Sequence, residues 1–136
     1  MSASVLYHAY GIKGVQYKST RFEKKSVIYK VEMQRQEVKC PKCSCSDTCF
    51  KGQKERVFKM IPYAHKQCSL EVLLHRLECT NCKYKWWPRL SFMKGKSRMT
   101  RSFRAYILDL LQFSTILDVS RFVRVHWNVV VKNQKE

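Results

Sequence analysis

Two short cysteine motifs, Cys40-Pro41-Lys42-Cys43 and Cys79-Thr80-Asn81-Cys82, decide how the first part of this sequence folds. In each motif two residues separate two thiols, so a tight turn can direct both sulfur atoms at one tetrahedral ion. Four thiolates complete the coordination of a structural zinc ion and leave no open position for a substrate. We therefore predict one structural Zn²⁺ with the ligands Cys40, Cys43, Cys79 and Cys82. Metal binding is expected to contribute on the order of 10 kcal/mol or more to folding, so that metal, rather than a large core, holds this part together.

The remaining cysteines and the histidines are weaker candidates for metal ligands. A ligand set that uses Cys43 and Cys45 is possible but sterically tighter, and ordinary reduced cysteines are the alternative to a metal site. Cys49 begins a predicted strand, and Cys68 lies on the apolar face of another strand, where a thiol is most simply a buried hydrophobic group. The roles of Cys45, Cys49 and Cys68 stay open. The four histidines are isolated and show no ligand spacing: His8, His65, His75 and His126.

The chain is strongly basic. Its 136 residues include 27 Lys and Arg against 10 Asp and Glu, and the formal charge of +17 favours a polyanion such as nucleic acid or an anionic membrane surface. No segment approaches the roughly 18 consecutive apolar residues of a transmembrane helix, and residues 1–10 lack a signal-peptide pattern. We therefore expect a cytosolic protein, with nucleic acid as its leading partner. There, seven cysteines favour metal or redox chemistry over disulfides.

The positive charge is concentrated between residues 79 and 108, where no acidic residue occurs. Aromatic residues are interleaved with these cations at Tyr84, Trp86, Trp87 and Phe92. Basic and aromatic residues together suit a phosphate backbone with some stacking or groove contact, whereas the alternative is a solvated linker. We favour nucleic-acid contact by the basic residues of this stretch, which are Lys83, Lys85, Arg89, Lys94, Lys96, Arg98, Arg101 and Arg104.

Alternating aromatic, β-branched and polar residues predict a β-hairpin in the N-terminal segment, residues 1–38. Its strands are 15–22 and 27–33, after a short lead. The alternation in the second strand places four apolar side chains on one face: Val27, Tyr29, Val31 and Met33.

Residues 39–92 are predicted to form the zinc ribbon, because strands enter and leave the two cysteine motifs. Gly52 is expected to make a turn between two short strands, and Pro62 to end the second of them. The third strand carries Cys68, Leu70, Val72 and Leu74 on one face and leads directly into the second motif. The three strands are predicted at 48–51, 56–61 and 68–77.

The apolar spacing changes to that of helices after Pro88, and residues 99–136 are predicted to form a helix-turn-helix unit of three short helices. The first helix carries an apolar face of Phe103, Tyr106, Ile107, Leu110 and Leu111. Thr115 and Asp118 form the capping signal of the second helix, whose inward face is Ile116, Val119, Ser120 and Val123.

The third helix begins near His126 and is the predicted recognition helix, which enters the major groove in such motifs. It is expected to bury Trp127, Val130 and Val131 and to expose Asn128, Val129 and Lys132. A packing unit of three helices without DNA contact is the alternative. The side chains expected to reach base edges are His126, Asn128, Val129 and Lys132. The predicted fold class is thus α+β: a small β-rich zinc ribbon followed by a short three-helix unit.

Nothing in the sequence supports catalysis. The ten acidic residues are scattered, and no Ser-His-Asp order, phosphate loop or two-metal carboxylate cluster stands out. We therefore expect a protein that is not an enzyme.

The sequence also resembles the N-terminal part of insertion-sequence transposases of the ISL-three group. The resemblance runs through nearly the whole chain, and the order of the cysteine motifs relative to the helical segment makes it specific. Ser44 and Arg124 stand where that family usually has glycine. The residues that carry the resemblance are 6–12, 40–43, 51–52, 56–58, 61–62, 76–79, Cys82, 100–101, Phe103, 118–119 and 125–127.

The resemblance implies a zinc ribbon and a helix-turn-helix that recognise the terminal inverted repeats of an insertion element. In that family a downstream DDE-type domain cuts and joins DNA with Mg²⁺, and its carboxylates have no counterpart here, so we expect a truncated transposase that binds DNA without strand transfer. Three alternatives remain, which are a non-enzymatic regulator, an inert remnant, and a zinc-ribbon module for RNA or protein. The resemblance also implies a cytoplasmic, nucleoid-associated protein of bacterial type, whose partner is double-stranded DNA and which makes no membrane contact. Self-association, or association with full-length transposase, is a possible further partnership.

Overall fold

The computed structural model describes residues 3–34, 39–94 and 97–135 and has the predicted α+β architecture, in which a β-rich sheet precedes short helices. The longest described helix has ten residues, and none of the described helices could span a membrane. Helix α1 lies within the predicted N-terminal lead. The elements in chain order are α1 (Ala3–Tyr10), β1 (Val15–Phe22), β2 (Ser26–Met33), β3 (Thr48–Tyr63), β4 (Lys66–Cys79), β5 (Lys85–Trp86), α2 (Arg101–Leu110), α3 (Ile116–Val123) and α4 (Trp127–Lys135).

The strands form one five-stranded sheet in the order β1-β2-β4-β3, with the short β5 paired to β4. Strands β2 and β4 run parallel, with Val31 opposite Val72, and the other neighbours are antiparallel. The predicted β1–β2 hairpin is confirmed. Because β2 pairs with β4, this hairpin shares a sheet with the strands that lead to the cysteine motifs, and the predicted division at residue 38 lies between strands of that sheet.

One face of the sheet carries an apolar core. Alternate residues of β2 and β4 are buried there, as the alternation predicts. Leu6 and Tyr10 of α1 cover the core together with Leu90, Phe92 and Met93 of the segment after β5. None of the four cysteines of the two motifs belongs to this cluster. The expectation that metal takes the place of a sizeable core is therefore wrong, since the sheet has a core of its own.

Strand β3 corrects the prediction of two short strands. Gly52 does not form a turn, because β3 runs without interruption from Thr48 to Tyr63. At Gly52 φ is 139°, and the pairing with β4 shifts between Phe50 and Gln53, as at a β-bulge. Glycine permits this backbone conformation, so the predicted turn residue instead bends a continuous strand. Pro62 lies inside β3 beside a second register shift and does not end it.

The three C-terminal helices pack around a second apolar core, as predicted. Phe103 and Ile107 of α2, Val119 and Val123 of α3, and Val130 of α4 are buried together. These five positions include one or two from each helix, at the spacing that the amphipathic pattern indicates. The helical unit therefore has its own core beside that of the sheet.

The predicted capping signal is confirmed, whereas the predicted burial of Trp127 is wrong. Thr115 Oγ1 accepts a hydrogen bond from the backbone N–H of Asp118 at 3.1 Å and donates to its carboxylate at 2.9 Å. Trp127 is 50 % exposed, because at the first turn of α4 its ring stacks on His126 at a centroid distance of 5.8 Å instead of entering the core.

Lys59 of β3 joins the sheet to the helical unit. Its backbone N–H donates to the Arg98 carbonyl at 2.7 Å, and its carbonyl accepts from the Thr100 backbone N–H at 3.0 Å. The Lys59 ammonium donates to the carbonyl of Arg124, in the turn between α3 and α4, at 3.4 Å. These bonds hold α4 and the edge of the sheet at opposite sides of one groove.

Arg124 is held in a strained backbone conformation, with φ 57° and ψ 43° at the end of α3. A side chain in this left-handed region costs about 1–2 kcal/mol, and glycine avoids that cost. Arg124→Gly is therefore expected to raise the free energy of unfolding by about 1 kcal/mol, measured by urea denaturation. Arg121→Gly, inside the same helix, should instead lower it by about 1 kcal/mol. A loss of stability in Arg124→Gly would contradict this account of the turn.

Candidate metal centre and nucleic-acid interface

The two cysteine motifs form turns with the same hydrogen-bond pattern. In the first, the Ser44 N–H donates to the Cys40 carbonyl at 2.9 Å, and in the second the Lys83 N–H donates to the Cys79 carbonyl at 3.0 Å. The residue after each motif has a left-handed backbone, with φ 61° at Ser44 and 62° at Lys83. This repeated geometry explains why each motif presents two sulfur atoms to the same side.

The strand ends bring the two turns together. Strand β4 ends at Cys79, and the first turn leads into β3, its antiparallel partner. Thr80 of the second turn is bonded to the residue just before β3, because its N–H and its hydroxyl both donate to the Asp47 carbonyl, at 3.1 and 3.0 Å. The sheet therefore positions both motifs at one end of the β3–β4 pair.

The four sulfur atoms lie at distances that suit a single metal ion. All four lie within 4.8 Å of one another. Cys40 and Cys82 are 3.5 Å apart at their sulfur atoms, and Cys43 and Cys79 are 3.4 Å apart. A tetrahedral site with metal–sulfur bonds of about 2.3 Å has sulfur–sulfur separations of roughly 3.8 Å, so these two separations need to lengthen only slightly. These cysteines can hold a metal ion.

The pKa values of two thiols in the cluster are shifted in opposite directions. A hydrogen bond from the backbone of Cys82 outweighs burial and lowers the pKa of the Cys79 thiol to about 6. A hydrogen bond from the backbone of Tyr84 lowers the pKa of Cys82, but burial and the neighbouring thiols raise it to about 12 overall. A divalent cation removes this conflict, because it stabilises adjacent thiolates.

The other possible ligands lie outside the cluster. Among the described residues, these four cysteines are the one group of at least three Cys, His, Asp or Glu side chains with ligand atoms close enough to share an ion. The geometry therefore does not favour the alternative ligand set that uses Cys43 and Cys45. Cys68 is buried in the sheet core, as predicted, and its sulfur lies 4.0 Å from the Tyr10 hydroxyl. His75 instead pairs with Glu32 at 2.8 Å.

A large basic groove separates α4 from the edge of the sheet. It has a volume of about 1150 Å³ and is bounded by β3, β4, the segment before α2, Arg104 of α2, and one face of α4. Its described lining contains no acidic residue. The basic residues of this lining are Lys59, Lys94, Arg98, Arg104, His126 and Lys132.

The predicted DNA contacts divide among several surfaces. Lys94, Arg98, Arg104, His126 and Lys132 line the groove, and Arg104 is mostly buried there. Arg89 and Arg101 line a separate pocket of about 510 Å³ with Lys13, and Lys83 and Lys85 are exposed beside the cysteine cluster. Asn128 is exposed on α4 and does not line the groove, and Lys96 lies outside the described residues.

The aromatic residues of the basic stretch have different roles. Phe92 is buried in the sheet core, edge-on to Phe58, so it does not contact a ligand. Trp87 packs under the Lys54 ammonium at 4.2 Å. Tyr84 and Trp86 stack on each other at 5.9 Å beside the second cysteine motif, and Tyr84 is 41 % exposed. This pair is therefore a candidate for stacking with a base.

Some residues of the groove had no signal in the sequence. Val57, Lys59 and Ser69 of the sheet and Asn133 of α4 line it, although they lie outside the basic stretch. Their position depends on the attachment of the helical unit to β3, which no local pattern reveals. Asn133 is a polar residue on the buried face of α4, and this is the one local feature that could have indicated a role for it.

Comparison with known proteins identifies a similarity in the helical unit. A family model described as the helix-turn-helix domain of transposase family ISL3 matches residues 88–132, which include α2, α3 and most of α4. The match supports the helix-turn-helix part of the predicted resemblance and does not include the cysteine motifs. No curated protein and no solved structure matches the chain significantly.

Proposed function

We propose that this chain binds double-stranded DNA as the recognition part of a transposase, at the terminal inverted repeats of an insertion element. The observation that carries the proposal is the coincidence of the matched segment, 88–132, with the helices and the preceding residues that form the basic groove. A transposase must select the ends of its element, and a helix-turn-helix does so by placing its second helix in the major groove.

Helix α4 is the proposed recognition helix. Asn128 is exposed in its first turn, where side chains of such helices meet base edges, and an asparagine can pair with both the N6 and N7 positions of adenine. His126 caps the helix, since its Nδ1 accepts the Asn128 N–H at 3.2 Å. Basic residues before α2 contact phosphates and set the position of the helix on the duplex.

The proposed metal is Zn²⁺, and its role is structural. Four thiolates favour zinc, and four protein ligands leave no position for a substrate or a reactive water molecule. The metal would hold the ends of β3 and β4 together. Lys83 and Lys85, exposed beside the cluster, would offset the net negative charge of four thiolates around a divalent ion.

We further propose that the chain performs no strand transfer itself. The described residues hold no cluster of carboxylates of the kind that binds two catalytic metal ions, and the one possible metal site among them is formed by thiols. DNA cleavage would then require a separate catalytic domain.

Selection from a pool of random duplexes tests this function. The zinc-loaded protein is expected to enrich one sequence, to prefer that duplex over structured RNA, and to lose affinity steeply as salt rises. Stronger binding of RNA would favour the alternative of a zinc-ribbon RNA module, for which the exposed Tyr84–Trp86 stack provides a possible base contact. Binding of neither nucleic acid would refute the proposal.

A further inference from the structure

One side-chain amide of α4 is buried at the groove, and its nitrogen atom has no hydrogen-bond partner. Asn133 is 5 % exposed and lines the groove. Among the described residues, its Nδ2 atom is one of the few buried polar side-chain atoms that make no hydrogen bond. A buried N–H without an acceptor destabilises a fold, so an amide in this position points to an acceptor that comes from outside the chain.

The charges around Asn133 indicate the chemistry of that acceptor. Lys59, Arg98 and Lys132 line the same groove with exposed side chains, and no acidic residue lines its described part. A ligand that accepts a hydrogen bond and carries negative charge satisfies both the amide and the cations. A phosphodiester group has both properties, and repeated phosphates along a strand suit a groove of about 1150 Å³.

We propose that the sugar-phosphate backbone of one DNA strand lies in this groove, where the Asn133 Nδ2 donates to a phosphate oxygen and Lys59, Arg98 and Lys132 neutralise adjacent phosphates. The inference rests on the proposed binding of duplex DNA and extends it, because it makes strand β3 part of the DNA interface. It also divides α4 between two tasks. The groove-facing residues position the protein on the backbone, and Trp127 and Asn128, which do not line the groove, remain for base edges.

Asn133→Ala separates this role from a structural one. The variant is expected to bind both a selected and a scrambled duplex about tenfold more weakly, with the ratio of the two affinities unchanged, because a phosphate contact carries no sequence information. Its Tm should stay the same or rise by a few degrees, because a buried amide without a partner is removed. A lower Tm, unchanged affinity, or a changed ratio would each overturn the inference.

Lys59→Gln provides the second test and keeps a hydrogen-bond donor near the Arg124 carbonyl. The slope of log K against log salt is expected to become less steep by about one. Lys30→Gln, an exposed lysine of β2 outside the groove, should leave the slope unchanged. If wild-type protein binds no duplex, the proposed function itself fails. If it binds and Lys59→Gln and Lys30→Gln behave alike, only the groove assignment fails.

Discussion

Cys79→Ser is expected to abolish metal binding and to lower the free energy of unfolding by on the order of 5 kcal/mol, because three thiolates and a serine hydroxyl do not form a closed tetrathiolate site. Cys79 is fully buried at the end of β4, and its sulfur lies 3.4 Å from that of Cys43. Metal content and thiol titration of the purified protein, followed by urea denaturation, measure both effects. The wild-type protein should hold one metal ion and four protected thiols.

In Cys79→Ser, the loss of protection from hydrogen exchange should be largest near the metal site. Because the sheet has an apolar core that excludes the cysteine motifs, backbone amides of β2 and the middle of β4 should keep more protection from hydrogen exchange than those of Ser44 and Lys83. Cys45→Ser is the matched control, since Cys45 lies two residues from Cys43 and outside the cluster. It should retain one metal ion. Equal metal loss in both variants would contradict the assignment of ligands.

The double variant Arg98→Glu with Lys132→Glu is expected to weaken binding of duplex DNA by about a hundredfold or more near 0.1 M salt, because two phosphate contacts become repulsive. Both side chains are exposed and line the basic groove from opposite elements, the segment before α2 and α4 itself. Electrophoretic mobility shift or fluorescence anisotropy at several salt concentrations measures the loss. The difference from wild type should shrink as salt rises, because both phosphate attraction and the introduced repulsion are screened.

The double variant Lys24→Glu with Lys30→Glu is the control for net charge. It makes the same change of charge at exposed residues that do not line the groove. Its affinity should fall much less, since the general attraction to a polyanion is spread over a protein of charge +17. If the two double variants lose the same affinity, binding depends on total charge, and the groove has no special role.

Local features of the sequence predicted much of the fold. The motif spacing identified the four cysteines that cluster, and Thr115 with Asp118 identified the start of α3. Alternation in β2 and β4 identified their buried faces. Each of these signals acts over a few residues, so periodicity and spacing are sufficient to read it.

Features that depend on distant contacts were not predictable in this way. The parallel pairing of β2 with β4 places the N-terminal hairpin in one sheet with the ribbon strands, and no turn signal in the sequence predicts this pairing. Gly52 resembles a turn signal but forms a bulge because the strand around it is paired on both sides of the irregularity. Lys59 and Asn133 meet at the groove only because the helical unit is attached to β3.

The exposure of the first turn of α4 also depends on tertiary packing. The hydrophobic character of Trp127 predicts burial, but the ring stacks on His126 outside the helical core. Large exposed aromatic residues on DNA-binding helices are available for contact with thymine methyl groups or the backbone. Trp127, which the sequence pattern predicts to be a core residue, is therefore part of the proposed DNA interface.

The role of α4 is tested by the affinity of the zinc-loaded chain for its selected duplex, compared with a scrambled duplex of equal length at the same salt concentration. We expect the selected duplex to bind on the order of a thousandfold more tightly, and Asn128→Ala to remove most of this ratio while retaining binding to both. Equal affinity for the two duplexes, or a ratio that Asn128→Ala leaves unchanged, would contradict the assignment of α4 as the recognition helix.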